Sequence, residues 1–114
     1  NVQFLASVCE VARQTPNVQH WLPTREVKTL LAFIKQYGAD HIPTNLNIRV
    51  SAPMVNDKPL SAFDNVPQVT TSTVHDKHNV PHGHSCPARN QGNACGDCRA
   101  CWSSDVANVS YPIH

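Results

Sequence analysis

The sequence predicts an α/β protein, in which a small parallel strand–helix–strand unit, part of a sheet or a barrel, precedes an irregular metal-stabilised segment. Residues 1–52 show helix and strand periodicity, whereas residues 53–114 are rich in Pro, Ser, Thr, Asn, His and Cys. Four of the five cysteines fall within residues 86–101, called the cysteine segment from here on. We therefore expect an α/β unit at 1–52 and a loop-rich, metal-binding segment at 53–114 packed on it.

The first predicted element is a helix over residues 3–14. Its apolar residues recur at helical spacing: Phe4, Leu5, Val8, Val11 and Ala12. Cys9 lies beside this stripe, and we predict that it is a core residue because a thiol packs well on an apolar helix face. A Thr-Pro-Asn turn signal at 15–17 ends the helix, and residues 18–22 predict a short strand.

A second helix is predicted over residues 25–37. Its apolar residues are spaced at i, i+3, i+4 and i+7: Val27, Leu30, Leu31 and Ile34. Thr24 is expected to cap the helix with its hydroxyl, and Glu26 suits the positive end of the helix dipole. Gly38 allows a left-handed stop after the helix, and residues 46–51 alternate as a strand.

A strand–helix–strand unit of this length usually forms a parallel pair with a right-handed crossover. Two parallel strands rarely stand alone, so we expect further strands from a partner chain or from a longer protein. The first residue is Asn1 and not Met, which agrees with a processed or partial chain. Farther along, the pattern predicts a strand at 68–74, a short helix at 100–108 and an extended tail at 109–114.

Charge and composition exclude several classes of protein. Nine Lys and Arg against eight Asp and Glu give a net charge of +1, which argues against a nucleic-acid-coating protein. No apolar run approaches the roughly 18 residues of a membrane span, and no signal-peptide pattern is present. An odd number of clustered cysteines fits metal binding in a reducing compartment better than a disulfide framework. We therefore predict a cytoplasmic location.

The clustered cysteines predict a metal site. The ligands have the spacing C-x8-C-x2-C-x2-C: Cys86, Cys95, Cys98 and Cys101. A C-x2-C pair brings two sulfurs to one tight turn, where backbone N–H groups stabilise thiolate charge. A C-x2-C-x2-C run is typical of cysteines around a [4Fe–4S] cluster, although the fourth cysteine lies upstream here. Structural zinc is the alternative cofactor, and His82 or His84 could replace one cysteine in either site.

Two arginines are candidate cofactor-binding residues. Ligands of open α/β folds gather at the carboxyl ends of parallel strands, where Arg25 follows the first strand. Arg25 could bind a phosphate or carboxylate through two parallel hydrogen bonds, or it could simply form a surface salt bridge. Arg49 lies within the second strand, so that burial between two covered faces would require a carboxylate or an anionic ligand beside it.

Several stretches of the sequence resemble the bacteriophage "gene product 88" family. They are HWLPTRE at 20–26, NIRVSA at 47–52, the cysteine segment followed by Trp102, and the ending NVSYPIH at 108–114. The resemblance implies a phage origin and the C-terminal half of a larger α/β protein, with radical-SAM barrels as one relation to consider. It also implies a further cysteine-bearing region upstream.

Two functions are consistent with these features. The first is a phage-type metal-binding protein whose four-cysteine site organises the C-terminal half and which acts by binding a host macromolecule. The second is a fragment or subunit of an iron–sulfur, radical-SAM-like enzyme with an auxiliary [4Fe–4S] cluster. The expected partner is a host protein or the missing upstream region, and nucleic acid is the least favoured. No nucleotide-binding, nucleophile-elbow, zinc-protease or kinase motif assigns a reaction.

Overall fold

All strands described in the computed structural model belong to one parallel sheet. The structure describes residues 1–63, 65–76, 79, 81–91 and 94–112, without the side chains of residues 89 and 90. The helices and strands are α1 (Val2–Gln14), β1 (His20–Thr24), α2 (Val27–Tyr37), β2 (Leu46–Val55), β3 (Val69–His75), β4 (His84–Ser85) and β5 (Asn108–Pro112). The strand order is β1-β2-β3-β5-β4, and each neighbouring pair is parallel.

Helix α1 begins at a capped N-terminus, where the side chain of Asn1 accepts a hydrogen bond from the Phe4 N–H at 2.8 Å. Its buried residues are Leu5, Cys9 and Ala12. The prediction that Cys9 is a core residue is therefore confirmed. The predicted stripe was partly wrong, because Phe4 and Val11 are more than half exposed and the buried stripe passes through Cys9 instead.

Helix α2 begins at Val27, two residues later than predicted. The Thr24 hydroxyl accepts a hydrogen bond from the Glu26 N–H at 3.1 Å, so it stabilises the turn before the helix and not the first helical turn. Glu26 itself is the N-cap residue and makes no side-chain capping hydrogen bond. Gly38 ends the helix with φ 91° and ψ 152°, so the predicted left-handed helical stop is wrong, although the positive φ still favours glycine and the N–H donates to the Ile34 carbonyl.

The strands confirm most of the predicted pattern. The strand predicted at 68–74 is β3, and the extended tail predicted at 109–114 is β5 as far as Pro112, with residues 113 and 114 outside the described part of the chain. The first strand starts two residues later than predicted, and β2 continues beyond residue 51 with an irregular register before Val55. The two predicted parts of the chain therefore share one sheet, because β2 passes residue 52 and β3, β4 and β5 come from the second part. The second part is accordingly less irregular than we expected.

The helix predicted at 100–108 is wrong. Only Ala100–Trp102 form a single 3₁₀ turn, after which the chain turns into β5. The side-chain oxygen of Ser103 accepts a hydrogen bond from the Asp105 N–H at 3.2 Å. Such local side-chain hydrogen bonds compete with helix formation, and they explain why the helical pattern stops here.

Helices α1 and α2 cover one face of the sheet. The core between them contains Leu5, Cys9, Ala12, Leu30, Phe33, Leu46, Ile48, Val50 and Val69. The opposite face of β2 carries Asn47 and Arg49, both almost fully buried beneath the 3₁₀ turn at 100–102. The cysteine-bearing turn therefore covers the face that the helices leave open. Neither described helix is long and apolar enough to cross a membrane.

Candidate metal centre

The cysteine segment lies against the sheet face opposite the helices. Cys86 directly follows β4, and its N–H donates to the Ser110 carbonyl of β5 at 2.8 Å. Cys101 belongs to the 3₁₀ turn and is 6% exposed. Cys86, Cys98 and Cys101 all take part in one apolar cluster built around Ala100 and the β5 valine. The fold thus brings cysteines from both ends of the segment to the same surface.

The Cys95–Cys98 turn has the predicted tight geometry. The Cys98 N–H donates to the Cys95 carbonyl at 3.0 Å, and Gly96 has a positive φ of 56°. The side-chain amide of Gln91 donates to the Ala94 and Cys95 carbonyls, each at 3.1 Å. A Cβ at Gly96 would lie 3.0 Å from that amide nitrogen, which is the end of a flexible side chain, so it is the positive φ that favours glycine here.

The four sulfur atoms are not assembled around one point. None of the cysteines is in a disulfide. Among the residues that the structure describes, no group of three or more His, Cys, Asp or Glu side chains is placed to hold a metal ion. Cys101 is buried, Cys86 and Cys98 are half-buried and Cys95 is exposed. Binding of one centre by all four would therefore require their side chains to move.

One of the histidines before Cys86 lies beside the cysteines. The Nε2 atom of His84 is 3.5 Å from the Cys98 sulfur. The Nδ1 atom of His75 is instead 2.6 Å from the hydroxyl of a β5 serine. The His82 carbonyl accepts a hydrogen bond from a β5 asparagine, and His78 lies outside the described residues. His84 is accordingly better placed than His82 as a substitute ligand.

Arg49 is fully buried and holds the cysteine-bearing turn. Its guanidinium donates to the carbonyls of Thr71 (2.9 Å), Ala100 (2.6 Å), Cys101 (3.2 Å) and Ser103 (2.9 Å). Within the described part of the chain, no carboxylate forms an ion pair with it. Carbonyl oxygens therefore take the position that we expected a carboxylate or a ligand to occupy. They satisfy the hydrogen bonds of the cation, but they do not neutralise its charge.

The two candidate arginines do not form a joint binding site. Arg25 is exposed where β1 ends, and its side chain makes no hydrogen bond or ion pair with the residues that the structure describes. Arg49 lies beneath the 3₁₀ turn and is 0% exposed. Only Arg49 contacts the segment that carries the cysteines.

The surroundings of Cys101 act on its thiol in opposite directions, and burial, the largest effect, favours the protonated form. Burial raises the pKa of the Cys101 thiol, while the Tyr111 hydroxyl and the positive charge of Arg49 act in the opposite direction. The Tyr111 hydroxyl lies 2.9 Å from the Cys101 sulfur, and burial raises the pKa of this phenol, so it keeps its proton as a donor. Burial also lowers the pKa of Arg49, although the neighbouring Cys101 opposes that shift.

Three aromatic residues of this site were missed at the sequence level. Trp21 and Trp102 meet edge to face with their ring centroids 5.1 Å apart. Trp21 packs against the cluster that contains the cysteines, and its buried Nε1 has no hydrogen-bond partner among the described residues. Tyr111 was also missed, although its alternation with Val109 in the predicted extended tail could have placed both on one face of the sheet.

A pocket of about 530 Å³ opens beside Cys95. Its lining residues are Gln19, Cys95, Gly96, Arg99 and Trp102. The Arg99 guanidinium lies 5.7 Å from the centre of the Trp102 ring, and its Nη1 donates to the Gly96 carbonyl at 2.8 Å. The Gln19 amide donates to the Trp102 carbonyl at 3.0 Å. The exposed Cys95 thus lines the same pocket as a cationic side chain, Arg99, and an aromatic side chain, Trp102.

Comparison with known families agrees with the resemblance seen in the sequence. The family model for Gene product 88 matches residues 1–104, a range that contains both helices, the strands from β1 to β4 and all four clustered cysteines. The chain therefore belongs to this family of phage gene products. No curated protein matches it, and no solved structure does so either.

Proposed function

We propose that this protein binds a metal centre through Cys86, Cys95, Cys98 and Cys101. The observation that carries the proposal is the buried guanidinium of Arg49, which lies beneath Cys101 without a carboxylate in the described part of the chain. A buried charge without a counter-charge is strongly unfavourable. A centre with four thiolates is anionic, and it would supply the missing negative charge on the side of the sheet where this cation lies.

The favoured centre is a [4Fe–4S] cluster, and zinc is the alternative. Three cysteines in C-x2-C-x2-C succession are typical of cluster ligands, whereas zinc ligands usually form two separated pairs. The Tyr111 hydroxyl beside the Cys101 sulfur supports either centre, because both leave the sulfur as an anionic acceptor. His84, 3.5 Å from Cys98, is a further ligand available to either centre.

Metal analysis with a visible spectrum on anaerobically purified protein tests the proposal. We expect one centre per chain in the wild type and in Cys9→Ser, because Cys9 is buried on the helix side of the sheet. Cys101→Ser should lose most of the metal. A brown protein with broad absorbance that dithionite bleaches indicates the cluster, and a colourless protein with one zinc indicates the alternative. Wild-type protein without stoichiometric metal would contradict the proposal.

We further propose that the metal-organised face binds a host macromolecule. Four protein ligands leave no open coordination position for a substrate, which favours a binding role over catalysis. The test compares proteins captured from host lysate by the wild type, by Cys9→Ser and by Cys101→Ser. A specific partner should bind the first two and not the third. Capture of the same proteins by all three, or of none, would argue against this role.

A second candidate function is an iron–sulfur enzyme fragment or subunit with an auxiliary cluster. The pocket beside Cys95 favours it, because an exposed ligand next to Arg99 and Trp102 leaves room for a small molecule near the centre. This function requires a redox-active cluster. Zinc as the resident metal would therefore exclude it and leave the binding role.

A further inference from the structure

We propose that the indole N–H of Trp21 donates a hydrogen bond to a metal-bound cysteine sulfur of this centre. The inference rests on the proposed metal site and adds a residue that orients it. Trp21 lies in β1, and its side chain reaches the same cluster as Cys86, Cys98 and Cys101. It is therefore a positioning residue and not a ligand.

The evidence is an unpaired donor in a buried place. Nε1 of Trp21 is the one buried side-chain nitrogen or oxygen, among the residues described, that lacks a hydrogen-bond partner. A buried donor without an acceptor is unfavourable, and nearly all such groups in native proteins are paired. The indole packs against Ala100, Cys101 and Val109, so the acceptor that it lacks belongs to this region.

Metal binding would supply that acceptor. A protonated thiol is a weak acceptor, whereas a metal-bound thiolate carries negative charge and accepts stronger, charge-assisted hydrogen bonds. The four cysteine side chains must also move to reach one centre, because they are not assembled in this structure. The Tyr111 hydroxyl already lies 2.9 Å from the Cys101 sulfur. The Trp21 N–H would be a second donor to the same group of sulfur atoms.

Nuclear magnetic resonance of the protein loaded with cadmium-113 tests this hydrogen bond directly. The chain has two tryptophans, so a nitrogen-15-labelled sample gives two indole N–H signals. We expect one signal to move downfield on loading and to show scalar coupling to cadmium-113. Trp21→Phe should remove that signal, whereas Trp102→Phe should keep an indole signal that couples to cadmium-113, because the unpaired buried donor belongs to Trp21.

The outcomes separate this inference from the proposed metal site. Cadmium binding is followed independently through the ultraviolet sulfur-to-cadmium charge-transfer band. If the wild type binds no cadmium, the metal site itself is wrong. If cadmium binds but neither indole signal moves or couples, the Trp21 hydrogen bond is overturned and the metal site stands. Trp21→Phe should also bind cadmium about tenfold more weakly, as expected for one lost charge-assisted hydrogen bond.

Discussion

At the scale of single residues, Arg49 connects the sheet to the cysteine segment. Its backbone belongs to β2, while three of its four carbonyl acceptors lie at positions 100, 101 and 103. Each of these carbonyls also accepts one other hydrogen bond, from the Ser103 N–H, the Asn47 side chain and the Val106 N–H respectively, so Arg49 adds a second donor to each. The position of Cys101 therefore depends on a side chain 52 residues away in the sequence.

We expect Arg49→Met to lower the free energy of unfolding by about 3 kcal/mol, because it removes four buried hydrogen bonds from a charged donor. Metal occupancy should also fall, since the turn that carries Cys101 loses its attachment. Arg25→Met is the matched control, because the Arg25 side chain is exposed and makes no hydrogen bond or ion pair with the described residues. Urea unfolding measures the stability of both variants, and metal analysis measures their metal occupancy. Equal stabilities of the two variants would contradict the assigned role of Arg49.

Cys9 predicts a pH dependence of stability that is independent of the metal. Burial raises the pKa of the Cys9 thiol, an effect that Arg13 opposes only in part. The unfolded chain therefore loses this proton at a lower pH than the folded protein, from about pH 8.5 upward. It follows that the contribution of this thiol to stability is complete below that pH and declines as the pH rises.

Unfolding of the wild type and of Cys9→Ala at pH 7 and pH 10 measures this contribution. Cys9→Ala should be less stable at pH 7 because it leaves a small cavity in the core. It should nevertheless lose less stability than the wild type between the two pH values. An equal loss in both proteins would show that the buried thiol does not titrate as proposed.

At the scale of elements, two glycines that both have a positive φ occupy different surroundings. Gly38, after α2, has a φ of 91°, and a Cβ there would meet nothing within 4 Å. Gly83, before β4, has a φ of 74°, and a Cβ there would lie 2.8 Å from the Asn108 carbonyl oxygen. The loop before β4 can therefore approach β5 only with a glycine at this position.

We expect Gly38→Ala to lower the free energy of unfolding by about 1 kcal/mol, the usual cost of a positive φ for alanine. Gly83→Ala should cost clearly more, because its Cβ also meets backbone that has little freedom to move. Thermal or urea unfolding measures the stability of the two variants, and the difference between them reports the contact between the loop before β4 and the backbone of β5. If the two variants are equally stable, β4 does not dock against β5 as described.

Several elements follow from local patterns. The i, i+3, i+4, i+7 spacing predicts α2, period-2 alternation predicts β2 and β3, and the C-x2-C spacing predicts the turn at 95–98. The failure at 100–108 has a local cause as well, because Ser103 binds backbone that a helix would use. Ser103 is visible in the sequence, so this competing hydrogen bond could have been predicted.

At the scale of the whole molecule, the end of the described chain completes the sheet. Strand β5 pairs with β3 on one side and with β4 on the other, so it is an interior strand. It lies beyond residue 104, where the match to the family model ends. Its Ser110 carbonyl also accepts the hydrogen bond that positions Cys86. Sheet and candidate metal centre therefore depend on the same strand.

A chain ending at residue 104 should consequently lose cooperative unfolding. Removing this strand leaves β4 without a partner strand and β3 unpaired on one side, and it uncovers the cluster that contains Trp21. Tryptophan fluorescence during urea unfolding measures the cooperativity and the midpoint of unfolding of the truncated chain and of the full chain. A truncated protein with an unchanged unfolding midpoint would mean that β5 is not part of the stable sheet.

The sequence by itself determined the helices, most strand positions, the buried role of Cys9 and the tight turn between Cys95 and Cys98. Each depends on residues within a few positions of one another, where periodicity and spacing carry the information. Tertiary structure alone decided the insertion of β5 between β3 and β4, the carbonyl partners of Arg49 and the unpaired Trp21 N–H. These features join residues more than 20 positions apart, and no local pattern records which distant groups will meet.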